Sequence, residues 1–496
     1  MMSFEDLTEA RRSLQSFCLL HVPSLMSQHS GISFKLFPTE NELTGRRVRH
    51  LTTTATCLSS LLDCPPRYLP KEHRDIVGLC SAFAANALRR KKWVSEGSAG
   101  IYCRCRALPL VINYSQAFDS VIENHLGAIL AQIDARTDRF GVGEADPKLD
   151  EWEWYPANAF HTYWALDIID LLKKRFPRET VRLSRPSILD LDEKREGMLL
   201  WARQQLGHQV ALHSASPPSS MLDTDQLGWS LAVFLKFDEN LHANLEKQDF
   251  VKQALKCLFS TQIIDVGTWP HYKPLFHYKE AGNAYCYVFE TFTVLLQCAL
   301  QERPEAEIIR QLLKPHCKNL LSLCHYADST KIPLSSTENV FGWCSGHRTN
   351  VTSAESWATA SVFSYAQALR RLLGIWCREE ALGSLNTPQS RRDSTEAATD
   401  MVNRGKTWGA NKTPVSEQLF TLFVNPVRMH ECTEKLEPDS QPIEHNHARS
   451  AILFGPPGTS KTTLVRALAD VIGWKYVEIH ASHFVKQGLG QVQFRR

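Results

Sequence analysis

The sequence predicts a mainly α protein: an array of helical hairpins over residues 1–382, then a linker and an α/β segment built around a phosphate loop. Three observations carry this. Apolar residues recur at spacings of three and four as far as about Ala381, the pattern of helices that bury one face. A polar stretch from Gly383 to about Trp408 then breaks that pattern. Finally, a short apolar run, a glycine-containing loop and a second helical pattern follow one another between Ala451 and Ala469.

In the helical part, Phe160, Tyr163, Trp164, Ile168, Leu171 and Leu172 form one stripe. Tyr285, Val288, Phe289, Phe292, Leu295, Leu296 and Ala299 form a second, and Ala358, Val362, Tyr365, Leu369 and Leu372 a third. Alternation of strand type is rare. Pro156, Pro177, Pro186, Pro270, Pro304 and Pro315 fall between runs, where proline ends a helix or starts the next. At three to four turns apiece the length allows about twelve or more helices. At 496 residues, 43% of them hydrophobic, the chain has material for about three domains of ordinary size. A net charge of +3 gives no reason to expect nucleic acid or acidic lipid as a partner. The start, Met1 to Leu7, lacks the basic and apolar regions of a secretory signal, and no apolar run is long enough for a membrane span. The 14 cysteines are scattered through core-forming patterns, as at Cys80, Cys286 and Cys298, which fits a reduced, cytoplasmic location better than a disulfide framework.

Weak internal similarity runs through this region. Asn158-Ala159-Phe160, Asn283-Ala284-Tyr285 and Glu355-Ser356-Trp357 each open a helical pattern after a tryptophan-bearing loop: Trp152 and Trp154, then Trp269, then Trp343 with Gly342 and Gly346. A related helix opens near Gln226, with Leu227, Leu231 and Phe234. Stacked hairpins of this kind share a continuous core. The segment Trp343 to Ala360 resembles the loop-plus-inner-helix unit of α/α-toroid proteins, a superfamily of terpene cyclases, prenyltransferase β-subunits and lanthionine cyclases. That resemblance implies a ring of hairpins; an irregular helical array is the other reading.

Residues 383–412 are predicted to be a flexible linker, because Gly383 to Thr395 offers little to bury. Residues 413–448 hold a short helix, Pro414 to Phe423 with proline in its first turn, and a polar loop. The final part, 449–496, is the most informative. Ala451 to Phe454 suits a buried strand. Gly455, Pro456, Pro457, Gly458, Thr459, Ser460, Lys461 and Thr462 follow, and Thr463 to Ala469 continues with helical periodicity. Trp474 to Ile479 is the next predicted strand. Strand, glycine-bearing loop, helix, strand is the setting of a Walker A loop. Its amides and the helix N-terminus present positive charge to a polyphosphate. Lys461 can reach the β- and γ-phosphate oxygens, and the Thr462 hydroxyl can join the shell of a Mg²⁺ ion. The residue before the lysine is Ser460, where the usual pattern has glycine.

The fuller string Phe454 to Leu464, with Pro456-Pro457 after the first glycine, resembles the AAA+ ATPase family, and Val477 to Phe484 resembles that family's second strand and following turn. The resemblance covers about the last 50 residues, Arg449 onward. It implies ATP and Mg²⁺ as cofactors, Lys461 as a catalytic residue, nucleotide contacts from Gly455 through Thr463, and a homo-oligomeric ring. The family's paired acids at the end of an apolar strand, its polar sensor and its arginine finger have no counterpart after Thr462. Val485 to Gly490 also lacks an aromatic-hydrophobic-glycine triplet. A chain cut short after Walker A, with little or no hydrolysis of its own, is therefore expected.

Other constellations carry less. Cys324-His325 with Cys344 and His347 could ligate Zn²⁺, although buried thiols and loop histidines explain them more simply; the order of these residues departs from that of the lanthionine cyclases. Cys103-Arg104-Cys105 has no partner pair. Asp190-Leu191-Asp192-Glu193 reads as a solvated first helical turn, a near miss for the acidic motif of protonating terpene cyclases. Asn113-Tyr114-Ser115 and Asn350-Val351-Thr352 match a glycosylation pattern without meaning in a cytosolic chain. The tryptophan loops read as hairpin-capping core before they read as a binding face, and His161, His271 and His277 as structural. The functional expectation is an ATP-binding AAA+-type protein whose helical domain recognises a partner or substrate protein. The alternatives are a toroid-type enzyme or small-molecule cup with an appended nucleotide segment, and an interaction scaffold with a degenerate loop.

Overall fold

The computed structural model describes residues 3–30, 33–34, 51–64, 71–90, 100–131, 158–186, 188–215, 223–238, 241–263, 265–270, 276–278, 282–284, 288–301, 303–336, 338–345, 353–383, 414–425, 452–454, 456, 458, 461–472, 476 and 478. The chain divides into two compact units, Met1–Trp376 and Cys377–Arg496. The predicted linker, beyond Gly383, lies outside the described residues, as do Trp152, Trp154, His271 and His347.

The first unit is helical, as the apolar spacing predicts. Its helices are α1 (Phe4–Leu19), α2 (His21–Met26), α3 (Leu51–Leu62), α4 (Lys71–Arg90), α5 (Gly100–Tyr114), α6 (Ser120–Leu130), α7 (Ala159–Arg175), α8 (Pro177–Leu183), α9 (Leu191–Ala215), α10 (Thr224–Phe237), α11 (Leu245–Ser260), α12 (Val288–Leu300), α13 (Pro304–Leu313), α14 (Cys317–Ser329) and, as far as Trp376, α15 (Ser356–Gly383). Local chemistry sets many of their starts. Ser3 and Asp6 form a capping box on α1, and Asp119, Asn158, Asp223 and Asn244 accept amide hydrogens at the heads of α6, α7, α10 and α11. Pro177 and Pro304 stand at the first positions of α8 and α13. One expectation is corrected. Asn283-Ala284 does not open a helix: Gly282–Ala284 pairs antiparallel with Phe276–Tyr278, and α12 begins at Val288. Pro109, unlike the prolines between runs, sits inside α5. Fully buried Leu108, Val111 and Ile112 hold that helix together despite the missing donor.

Six of the described helices close a ring. α3 packs on α5, α5 on α7, α7 on α10 and α10 on α12. The Phe289 ring of α12 meets Tyr365 of α15 edge-on at 5.4 Å. α15 returns to α3 through Ser60 Oγ, which donates to the Ala360 carbonyl at 3.0 Å and accepts from Ser364 Oγ at 2.8 Å. Neighbours run the same way: Cys103 lies by Thr52, Arg106 by Phe160, the Ala159 amide donates to Gln226, and a Cβ at Gly228 would strike Thr291. α4, α6, α9, α11 and α13 pack outside α3, α5, α10 and α12. Across the ring, Arg106 of α5 pairs with Glu290 of α12, each side chain 8% exposed. The guanidinium lies 4.5 Å above the Trp164 ring. The centre is thus occupied by a desolvated ion pair and aromatic rings.

The tryptophan loops cap hairpins. Trp269 Nε1 donates to the Leu258 carbonyl at the end of α11, and Trp343 Nε1 to the Ala327 carbonyl near the end of α14, both at 2.7 Å. Each indole is 1% exposed. Each indole shares its helix-end carbonyl with a threonine: Thr261 Oγ1 also donates to the Leu258 carbonyl at 2.8 Å, and the Thr330 amide to the Ala327 carbonyl at 3.3 Å.

Within the second unit, α16 (Val415–Leu419) continues as a π-helical turn, Phe420–Val424, and α17 spans Lys461–Ile472. Residues 452–454, predicted as a strand, pair with no strand among the described residues. Of the second predicted strand only Tyr476 and Glu478 are described.

Candidate nucleotide-binding site

Lys461 is the first residue of α17, so its backbone belongs to the turn whose amides have no partner within the helix. Three residues earlier, Gly458 has φ +83°. Open space surrounds its missing Cβ, so glycine is required there by backbone conformation and not by crowding. The chain thereby folds back, and Lys461 Nζ donates to the Pro456 carbonyl at 2.8 Å. The ammonium therefore stands across the loop, at the positive end of the helix. Pro456 and Thr462 are exposed, and Thr463 is half-buried. Gly455, Pro457, Thr459 and Ser460 lie outside the described residues.

Two contacts around α17 were not read from the sequence. Arg466 Nη2 donates to Glu478 Oε2 at 2.9 Å, and its guanidinium lies 5.1 Å over the Tyr476 ring. The Glu478 carboxylate and Tyr476 hold the arginine's pKa above its usual value. On the opposite, apolar side, Leu464, Ala467 and Val471 are buried against Leu419 and Val424, with Val415, Phe420, Phe423, Leu468 and Ile472 around them. The helical pattern at Pro414 to Phe423 signalled α16 but not what it covers.

The zinc reading of Cys324-His325 with Cys344 and His347 extends outside the described residues at His347. Among the described residues no group of three or more His, Cys, Asp or Glu side chains could hold a metal. The described cysteines are all free thiols, and burial pushes Cys18 and Cys64 up to about 12. His161 is fully buried with its pKa lowered to about 3 by desolvation. His21 is held likewise, between Ser60 Oγ at 2.8 Å and Cys64 Sγ at 2.9 Å. Asp192 and Glu193 occupy the first turn of α9, where Lys173 donates to Asp192. The buried Glu355 carboxylate accepts from Ser345 and from Trp357 Nε1 at the head of α15.

The profile of the AAA family, ATPases associated with various cellular activities, matches residues 451–495. Over 39 residues the chain is 56% identical to the replication factor C large subunit of Pyrobaculum calidifontis, a stretch amounting to 8% of this chain and 9% of that protein. The chain therefore spans less than a tenth of this curated relative. Among solved structures, the unsaturated glucuronyl hydrolase of Bacillus sp. GL1 aligns over 74% of this chain and 96% of its own, at 11% identity and a TM-score of 0.42. An inactive variant of an α-1,6-mannanase of Salegentibacter sp., in complex with α-1,6-mannotetrose, aligns over 74% and 99% at 12% identity and a TM-score of 0.39.

Proposed function

With the AAA match confined to residues 451–495, we propose that this segment binds ATP with Mg²⁺ and that nucleotide binding is coupled to a partner protein held by the helical unit. The observation that carries the reading is the junction at Gly458 and Lys461: a left-handed glycine, then an ammonium at the first residue of a 12-residue helix. In the proposed complex, Lys461 exchanges the Pro456 carbonyl for phosphate oxygens and offsets their charge. Thr462, exposed beside it, joins the Mg²⁺ shell, and Gly455, Pro456, Pro457, Gly458, Thr459, Ser460 and Thr463 shape the cradle. Bound Mg²⁺ neutralises the charge between the phosphates. Assembly into a ring of copies is part of the same proposal.

The helical unit is proposed to be an α/α toroid that serves as a platform rather than an enzyme. Its six parallel helices support the toroid, and the buried Arg106–Glu290 pair in its centre supports the platform. Little or no hydrolysis is expected from residues 1–496 alone. Mg-ATP should raise the melting temperature of the second unit by mass action, by about 2.7 kcal/mol of stabilisation at a hundredfold excess over Kd. Lys461→Ala should abolish the shift. No shift in the unsubstituted chain at millimolar Mg-ATP would remove the nucleotide reading, and turnover lost in Lys461→Ala would overturn the expectation about hydrolysis.

A further inference from the structure

In a strand–loop–helix unit, the apolar face of the helix packs on a sheet. Here the corresponding face of α17 is buried against a different element. Leu464, Ala467 and Val471 are 6%, 4% and 6% exposed, and their buried neighbours are Leu419 and Val424. Meanwhile Ile452 and Phe454, from the apolar run ahead of the loop, stand 89% and 90% exposed. Leu464 lies one turn after Lys461, so whatever grips Leu464 fixes the direction of the helix end that carries the ammonium. The gripping segment contains a π-helical turn, Phe420–Val424. The extra residue per turn rotates the side chains after it, and such turns favour functional positions. Val424 is part of the cluster that buries α17, Phe420 and Phe423 pack against that cluster, and Leu422 is 47% exposed.

We infer that Val415–Val424 is the packing partner that orients the phosphate-loop helix, and that Leu419 and Val424 are positioning residues for Lys461. The nucleotide module then begins well before the stretch matched by the family. The inference rests on the proposed nucleotide reading only for its second half.

The test uses the full chain with Leu419→Ala, Val424→Ala, the conservative Leu419→Met and the exposed control Leu422→Ala. Amide hydrogen exchange of residues 461–472 and the Kd for Mg-ATP by calorimetry are measured on each. Far-UV circular dichroism and the melting of the first unit report whether the rest of the chain stays folded. Both alanine variants at buried positions should speed exchange of 461–472 and raise Kd by at least about tenfold, as truncation of a packed side chain implies. Leu419→Met should recover most of each change, and Leu422→Ala should match the unsubstituted chain. Unchanged exchange in both buried variants overturns the packing role. Faster exchange with unchanged Kd overturns the positioning role. If the unsubstituted chain binds no Mg-ATP, the positioning role falls with the nucleotide reading, and exchange alone decides the packing role.

Discussion

The Arg106–Glu290 pair gives the most direct test of what the helical ring is for. Each side chain is 8% exposed, and the partners come from opposite helices of the ring. Replacing Glu290 with leucine removes a carboxylate from beside a buried guanidinium, and breaking a buried pair in this way costs about 3–5 kcal/mol. Arg106→Met strands the carboxylate and also removes the cation from the Trp164 and Phe160 rings, 4.5 and 5.7 Å away, a further contribution of up to about 2 kcal/mol. The double variant, apolar on both sides, should return to within about 1 kcal/mol of the parent or exceed it, because the desolvation cost of both ions disappears. Equilibrium urea unfolding, followed by tryptophan fluorescence, measures all four proteins, and Trp164 reports the site directly. The diagnostic quantity is the coupling energy: two costly single substitutions and a nearly neutral double one. If both single substitutions fall within about 0.5 kcal/mol of the parent, as at solvated positions, water reaches the pair. The ring centre is then open to ligands, and the case for a platform over a catalytic cup collapses.

Other expected outcomes follow from the same packing. Trp269→Phe and Trp343→Phe each remove one hydrogen bond from a helix-end carbonyl that a threonine still serves, so each should destabilise the first unit by about 0.5–1.5 kcal/mol in denaturant titrations; a near-zero effect at either would show that the indole nitrogen does not contribute to the cap. His21 and His161 are neutral in the folded protein, with values of about 3 against an ordinary value of 6.5. The unfolded chain binds their protons first, so stability is complete above pH 6.5 and falls as pH drops towards 3. Between pH 7 and pH 5 each should remove about 2 kcal/mol, and His161→Phe should flatten that slope by half. Gly458→Ala meets no side chain but forces a left-handed backbone on an L residue, at a cost of about 1–2 kcal/mol. It should shrink the Mg-ATP melting shift without altering the melting of the first unit.

The sequence made some of this legible and hid the rest for physical reasons. Periodicity is a one-helix property, so α7 and α15 could be read from the apolar stripes of their own residues. The start of α7 was legible too, because Asn158 acts on amides within the next turn. The tryptophan loops were readable as hairpin caps because Trp269 and Trp343 recur before successive inner helices, although only the structure identifies the carbonyls they satisfy. By contrast, the apolar run before α12 reads as helix at Tyr285, yet Asn283 pairs with His277 in a hairpin; strand pairing draws on a partner that no local pattern encodes. The ring shares that difficulty. Arg106 and Glu290 are separated by half the unit, and an arginine in a helical pattern looks like a residue destined for solvent.

The second unit sharpens the distinction. Glycine and lysine at Gly458 and Lys461 are dictated by chemistry within four residues, so the loop announced itself. The partner of α17 did not, because an apolar face specifies that something must cover it and is silent about which element does. Leu464, Ala467 and Val471 would satisfy a sheet as readily as they satisfy Leu419 and Val424. The choice between those covers is settled by what else competes for the face. A chain in which α16 already holds it need not expose that face while the loop is empty. Nucleotide capture would then begin from a helix whose axis is set, and the phosphate charge would have only the Lys461 side chain left to move.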